Sequence, residues 1–141
     1  MFGKTIVWKR SAALVAIFFL SPITLMAHHS LVSFFDLNNP IKVNGTLTSI
    51  RWGNPHVAFQ LERIGPDGKT ELWNIPSGGP TLLRRIGVNA DTFKVGDQLS
   101  ISGFPSRLRE LEMVGVIIHL SDGRDLPMFA SLATRFGYEL K

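Results

Sequence analysis

The sequence predicts an all-β domain, and three observations carry that prediction. From Ile41 on, apolar residues fall at every second position in several short runs. Clusters of Gly, Pro, Asn and Asp punctuate those runs. The helical pattern in this stretch is short and lies between the third and fourth runs.

The first strand spans Ile41–Trp52. Ile41, Val43, Gly45 and Leu47 alternate with Lys42, Asn44, Thr46 and Thr48. The apolar parity then shifts to Ile50 and Trp52, which predicts a bulge near Ser49. Gly53-Asn54-Pro55 is a turn. In the second strand Val57, Phe59 and Leu61 face one way, against His56, Ala58, Gln60 and Glu62. Gly65-Pro66-Asp67-Gly68 turns the chain into a third strand, Thr70–Ile75, which contains Trp73.

Ser77 is the expected cap of a helix running through Pro80, Leu82, Leu83 and Ile86 and stopping at Gly87. Its three large apolar residues share one face, suited to plugging the end of a barrel. Lys94-Val95-Gly96-Asp97 leads into a fourth strand, Gln98–Phe104, and the fifth is Glu110–Leu120, before an Asp122-Gly123 turn. Three strands, a helix and two strands predict a small five-stranded OB-like Greek-key barrel, with one short helix between strands three and four. An SH3-like barrel or a small sandwich would leave the helix position unexplained.

Three further segments flank this 41–126 domain. Residues 28–40 form an arm whose Leu31-Val32 and Phe34-Phe35 pairs are expected to pin it to the domain surface. In the tail, 127–141, Met128, Phe129, Leu132 and Phe136 have helical spacing and predict a short helix closing the core. The alternative is an apolar face for a partner or a membrane surface, with only Arg135 and Lys141 to supply positive charge.

Residues 1–27 read as a cleaved secretory signal peptide. Lys4, Lys9 and Arg10 precede an apolar run, Ala12–Leu20, and the segment ends in Leu25-Met26-Ala27. The run is shorter than the roughly 20 residues of a membrane span, and Pro22 follows it. The expected location is therefore the periplasm, across the inner membrane, with no stable membrane span after cleavage.

Cleavage changes what the composition means. The 141 residues carry a formal charge of +4. Removing residues 1–27 takes away three of the fifteen basic residues and none of the eleven acids, leaving +1 over 114 residues. A near-neutral chain lacks the charge to neutralise phosphates, so nucleic acid is not an expected partner. The absence of cysteine excludes disulfides, thiolate metal sites, iron–sulfur clusters and cysteine nucleophiles.

Several short motifs together resemble one family: Ala27-His28-His29-Ser30, Trp52-x-Asn54-Pro55-His56, Leu82-Leu83-Arg84-Arg85, Val95-Gly96-Asp97 and Asp122-Gly123-Arg124. Their order and spacing are similar to those of small exported bacterial proteins grouped as domain of unknown function 6152. The resemblance covers roughly residues 27–126 and departs after Leu126, where a longer tail continues. It implies a periplasmic β-barrel domain and supplies no activity.

The histidines are the main chemical candidates. After cleavage, the free amine and ring Nδ1 of His28 can chelate one metal ion. An imidazole from His56 or His29 would complete a square-planar or T-shaped site, the geometry favoured by Cu(II). The arrangement looks like the histidine brace of exported copper proteins, and copper is the cofactor it implies; the analogy is one of ligands, not of fold. The alternative for these residues is a solvated terminus (His28, His29) and a turn-fixing hydrogen bond (His56). Eleven arm residues span about 36 Å extended, against about 40 Å for the first strand. The arm therefore reaches His56 only by running back antiparallel to that strand, nearly extended.

His119 alternates with Met113, Gly115 and Ile117 and reads as a rim or core histidine more than a ligand. Trp52 and Trp73 read as core or rim, or as platforms for a ligand ring. Arg84-Arg85 is a solvated helix face or an anion site. Ser30 lies near histidines without any oriented triad, and Asp97, Asp122 and Asp125 lack EF-hand spacing. No catalytic residues are assigned. The first expectation is transition-metal binding at His28, His29 and His56, the second a binding module for an envelope protein or glycan on the open barrel face or an edge strand, and the third a structural envelope domain with no ligand. The second expects a concave apolar patch with Trp52 or Trp73 exposed, and fails if both are buried.

Overall fold

The computed structural model describes residues 30–137. Six antiparallel strands form one sheet in the order β3-β2-β1-β4-β5-β6. These are β1 (Ile41–Arg51), β2 (Ala58–Ile64), β3 (Thr70–Pro76), β4 (Gln98–Pro105), β5 (Met113–His119) and β6 (Asp125–Pro127). The helices are short: α1 (Ser30–Phe34), α2 (Pro80–Arg85) and α3 (Ala130–Ala133), the last followed by a 3-10 turn over Thr134–Phe136. The described residues are mostly β, as the alternation predicts, but they hold six strands where the sequence predicts five. The extra strand, Asp-Leu-Pro, is too short to show a period.

Alternation decides which residues are buried. Val43 and Leu47 on β1, Phe59 and Leu61 on β2, and Leu99 and Ile101 on β4 all face one core, together with Ile75, Met113 and Ile118. Fully burying such side chains contributes about 1.5–3 kcal/mol each. The β1 register shifts between Leu47 and Ser49, where the sequence predicts a bulge. Leu83 of α2 is fully buried in the same core, while Leu82 and Ile86 are half-buried.

The helix starts differently from expectation. Its N-cap is Gly79, with Pro80 in the first turn and no side-chain cap. Ser77 is instead buried, and its hydroxyl donates to the Val57 carbonyl at 3.1 Å. β5 also begins later than predicted, at Met113 and not Glu110. Leu111, with φ 52°, breaks the extended course just before it. Ahead of β5, Asn74 on β3 and Glu112 form a single parallel bridge, reinforced by Asn74 N donating to the Leu111 carbonyl at 2.8 Å.

A second apolar cluster covers the outer side of β4 and β5. Phe104, Val114, Val116, Ile117, Leu132 and Ala133 form it, with Leu31, Phe35, Phe129 and Phe136 packed against it. It exists because β5 carries a bulge: Ser102 pairs with Ile117, but Gly103 pairs with Gly115. The extra residue puts both Val116 and Ile117 in the second cluster and turns Ile118 back into the main core.

The arm is not extended along β1. Residues 30–34 are helical, Phe35 bridges Ser106, and Asp36 N donates to the Pro105 carbonyl at 2.8 Å. Only one residue of each apolar pair is used: Leu31 and Phe35 pack, whereas Val32 and Phe34 are exposed. A helical turn rises about 1.5 Å per residue against about 3.3 Å in a strand, so the antiparallel route to His56 is closed.

Candidate functional site

His28 and His29 lie outside the described residues. His56 follows the Asn54–Pro55 turn and is exposed, with its Nδ1 3.0 Å from the Ser77 carbonyl oxygen. A carbonyl can only accept, so Nδ1 carries the hydrogen and the neutral ring has its lone pair at Nε2. Val57 N donates to the Gly78 carbonyl at 3.1 Å and Ser77 N to the Val57 carbonyl at 2.8 Å, which locks these two segments together. A Cβ on Gly79 would stand 2.6 Å from the Pro55 carbonyl oxygen, so this approach requires glycine. Among the described residues, no group of three or more His, Asp or Glu side chains is placed to hold a metal.

Neither tryptophan is an open platform. Both are half-buried against the main core. The Arg84 guanidinium lies over Trp52 at 5.8 Å and that of Arg63 over Trp73 at 5.1 Å. Trp73 Nε1 donates to Glu71 at 2.8 Å, whereas Trp52 Nε1 is buried with no acceptor among the described residues. Arg84 and Arg85 are both exposed.

The outward face of the central strands holds two clefts. One, of about 500 Å³, is lined by Asn44, Gly45, Thr46, Glu62, Arg63, Ile64 and Gln98. The other, of about 300 Å³, shares Asn44, Gly45 and Gln98 and continues over Ser100, His119, Leu120 and Ser121. Because they share three residues, they make one groove across β2, β1, β4 and the end of β5. The β1–β4 register sets its floor: Thr46 opposes Gln98 and Asn44 opposes Ser100. Gln98 Nε2 donates to Thr46 Oγ1 at 2.7 Å. Amide, hydroxyl and charged groups dominate the larger cleft, with Ile64, 67% exposed, at its end; the smaller cleft adds Leu99 and Leu120 and is more apolar than polar. Neither tryptophan lines the groove, contrary to the expectation for a binding face.

At the β5 end of the groove stands a relay that sequence reasoning missed. Ser102 Oγ is 2.7 Å from His119 Nε2, and His119 Nδ1 is 2.7 Å from Asp125 Oδ1. The sequence groups His119 with Met113 and the core face. The β5 bulge reverses that parity and brings His119 out beside Ser102. Asp125 arrives through the Asp122-Gly123 turn, which makes it the register partner of His119. That turn was the available signal: a hairpin centred there sets residues 119 and 125 opposite each other.

The fold and groove define a class, a single-sheet β domain with a polar face left uncovered by its helices. The chain belongs to DUF6152, a family of unknown function, whose family model matches residues 18–114. The match begins earlier than the resemblance suggested and ends before Asp122-Gly123-Arg124 and the whole relay hairpin. No curated protein and no solved structure matches the chain.

Proposed function

We propose that this is a binding domain for a polyhydroxy ligand, a glycan segment of the cell envelope, seated in the groove over β2, β1, β4 and β5. The single observation that carries the reading is the continuity of the two clefts through Asn44, Gly45 and Gln98. Amide and hydroxyl side chains exchange hydrogen bonds with sugar hydroxyls, and Ile64 and Leu120 offer apolar patches to the C–H faces of the rings. We take the fold itself to be an OB-like barrel with β6 appended. It is supported by the β3-β2-β1-β4-β5 order, the position of α2 between β3 and β4, and the parallel Asn74–Glu112 bridge. Such barrels bind ligands on their open face. Residues 1–27 are the export signal on this reading, and the mature domain works in the periplasm.

Calorimetric titration with soluble envelope oligosaccharides tests it. Binding should weaken about tenfold or more in Asn44→Ala and Gln98→Ala. Absence of binding, or binding indifferent to both substitutions, overturns the reading.

A second reading, copper or another transition metal held by the processed terminus, rests on His56. The Ser77 carbonyl fixes its tautomer and leaves Nε2 as a donor, the usual support of a ligating histidine. Cu(II) titration of the form beginning at His28 tests it. Affinity should fall when one residue is added before His28 and again in His56→Ala; indifference to both sinks the site.

A further inference from the structure

We propose that Ser102 is an activated nucleophile, with His119 as its general base and Asp125 as the positioning residue. The domain would then hydrolyse small acyl esters carried on the ligand of the groove. The choice of substrate class rests on the groove reading; the activation of Ser102 does not.

Three strands bring the parts together. Ser102 is on β4, His119 ends β5 and Asp125 begins β6, and the two hydrogen bonds joining them are both 2.7 Å. A carboxylate accepts only, so His119 Nδ1 carries the hydrogen. The neutral ring then presents its Nε2 lone pair to the Ser102 hydroxyl, the orientation a base needs. Ser102, 4% exposed, stands next to the 300 Å³ cleft that His119 lines. Lys42 stands directly opposite Ser102 on β1, and Asn44 opposite Ser100. Strand alternation puts these pairs on one face, with Cβ atoms about 5 Å apart. They supply a cation and an amide donor for an oxygen that gains negative charge.

In the first step Ser102 Oγ bonds to the ester carbonyl carbon while its proton passes to His119 Nε2. The carbon–alkoxy bond then breaks, and the leaving oxygen takes that proton and departs as the alcohol of the ligand. Water adds to the acyl-serine, again giving a proton to His119. Breakdown releases the carboxylic acid and returns the proton to Ser102. Asp125 stays ionised and holds the imidazole throughout.

The experiment is labelling of the purified protein with a small fluorophosphonate, read by intact mass and peptide mapping. The expected result is one adduct, on Ser102, with the nearby Ser100 unlabelled. Ser102→Ala should abolish it and His119→Ala should slow it about 100-fold. Asp125→Asn should also slow it, and Asp125→Glu should recover part of the rate, which a merely structural role for Asp125 would not give. A folded protein without an adduct on Ser102, or labelling that is as fast in His119→Ala, overturns the proposal. A failed oligosaccharide titration with intact Ser102 labelling would remove the groove ligand and leave the nucleophile standing.

Discussion

Trp73 Nε1 donates to Glu71 Oε2 at 2.8 Å, two residues back along the same edge strand. Arg63 Nε donates to the same oxygen at 2.7 Å from β2, so one carboxylate gathers an indole and a guanidinium. The Trp73 bond first, and the Arg63 bond after it, hold the Glu71 carboxyl below the usual carboxylate range. A lowered pKa in the folded state means that the charged form contributes stability above the ordinary value of about 4.3. That contribution is lost as pH falls through the lowered folded-state pKa. The melting-temperature gap between the wild type and Glu71→Gln should therefore be open at pH 7 and narrow below about pH 4. A gap that stays constant to pH 3 would contradict this role.

Leu83 is the residue through which α2 closes the main core, and it is fully buried. Leu83→Ala should cost about 2–5 kcal/mol in urea unfolding, through lost transfer energy and the cavity left behind. Arg85→Ala, on the exposed side of the same helix, should change stability by no more than about 0.5 kcal/mol. Comparable losses at both positions would mean that the helix does not plug the core.

Gly103 sits where the β5 bulge presses the two strands together. A Cβ there would collide with the Val114 carbonyl oxygen, a contact that only backbone movement can relieve. Gly103→Ala should destabilise by about 1–3 kcal/mol or more, against the usual gain from replacing glycine in a strand. Because Ser102 adjoins it, the substitution should also disturb the His119 ring resonances. A neutral or stabilising effect would place the bulge elsewhere.

The main strands were legible because a period of two is written directly into Val43, Leu47, Phe59, Leu61, Leu99 and Ile101. The bulge near Ser49 was legible for the same reason: the parity of Ile50 and Trp52 changes in plain view. The bulge in β5 was hidden, since Val116, Ile117 and Ile118 are all apolar and any phase fits them. Hidden with it were the face of His119 and its meeting with Ser102. β6 is three residues long, with a proline, and offers no pattern. Ser77 looked like a helix cap because its type suits one, but its hydroxyl is used by Val57. His56 was singled out by its motif. The Ser77 carbonyl that fixes its tautomer lies 21 positions away and emerges only from the β2–β3 pairing.

The groove was the least legible feature. Asn44, Thr46, Gln98 and Ser100 read singly as solvent-facing polar residues, and only the β1–β4 register makes them one surface. Amide chemical-shift mapping during titration with an envelope oligosaccharide tests that surface most directly. A ligand in the groove should give saturable shifts at Asn44, Thr46, Glu62, Gln98, Ser100 and His119, with His56 and Gly79 unmoved. Saturable shifts confined to the His56 and Gly79 end, or no shifts at all, would rule the groove out as the binding surface.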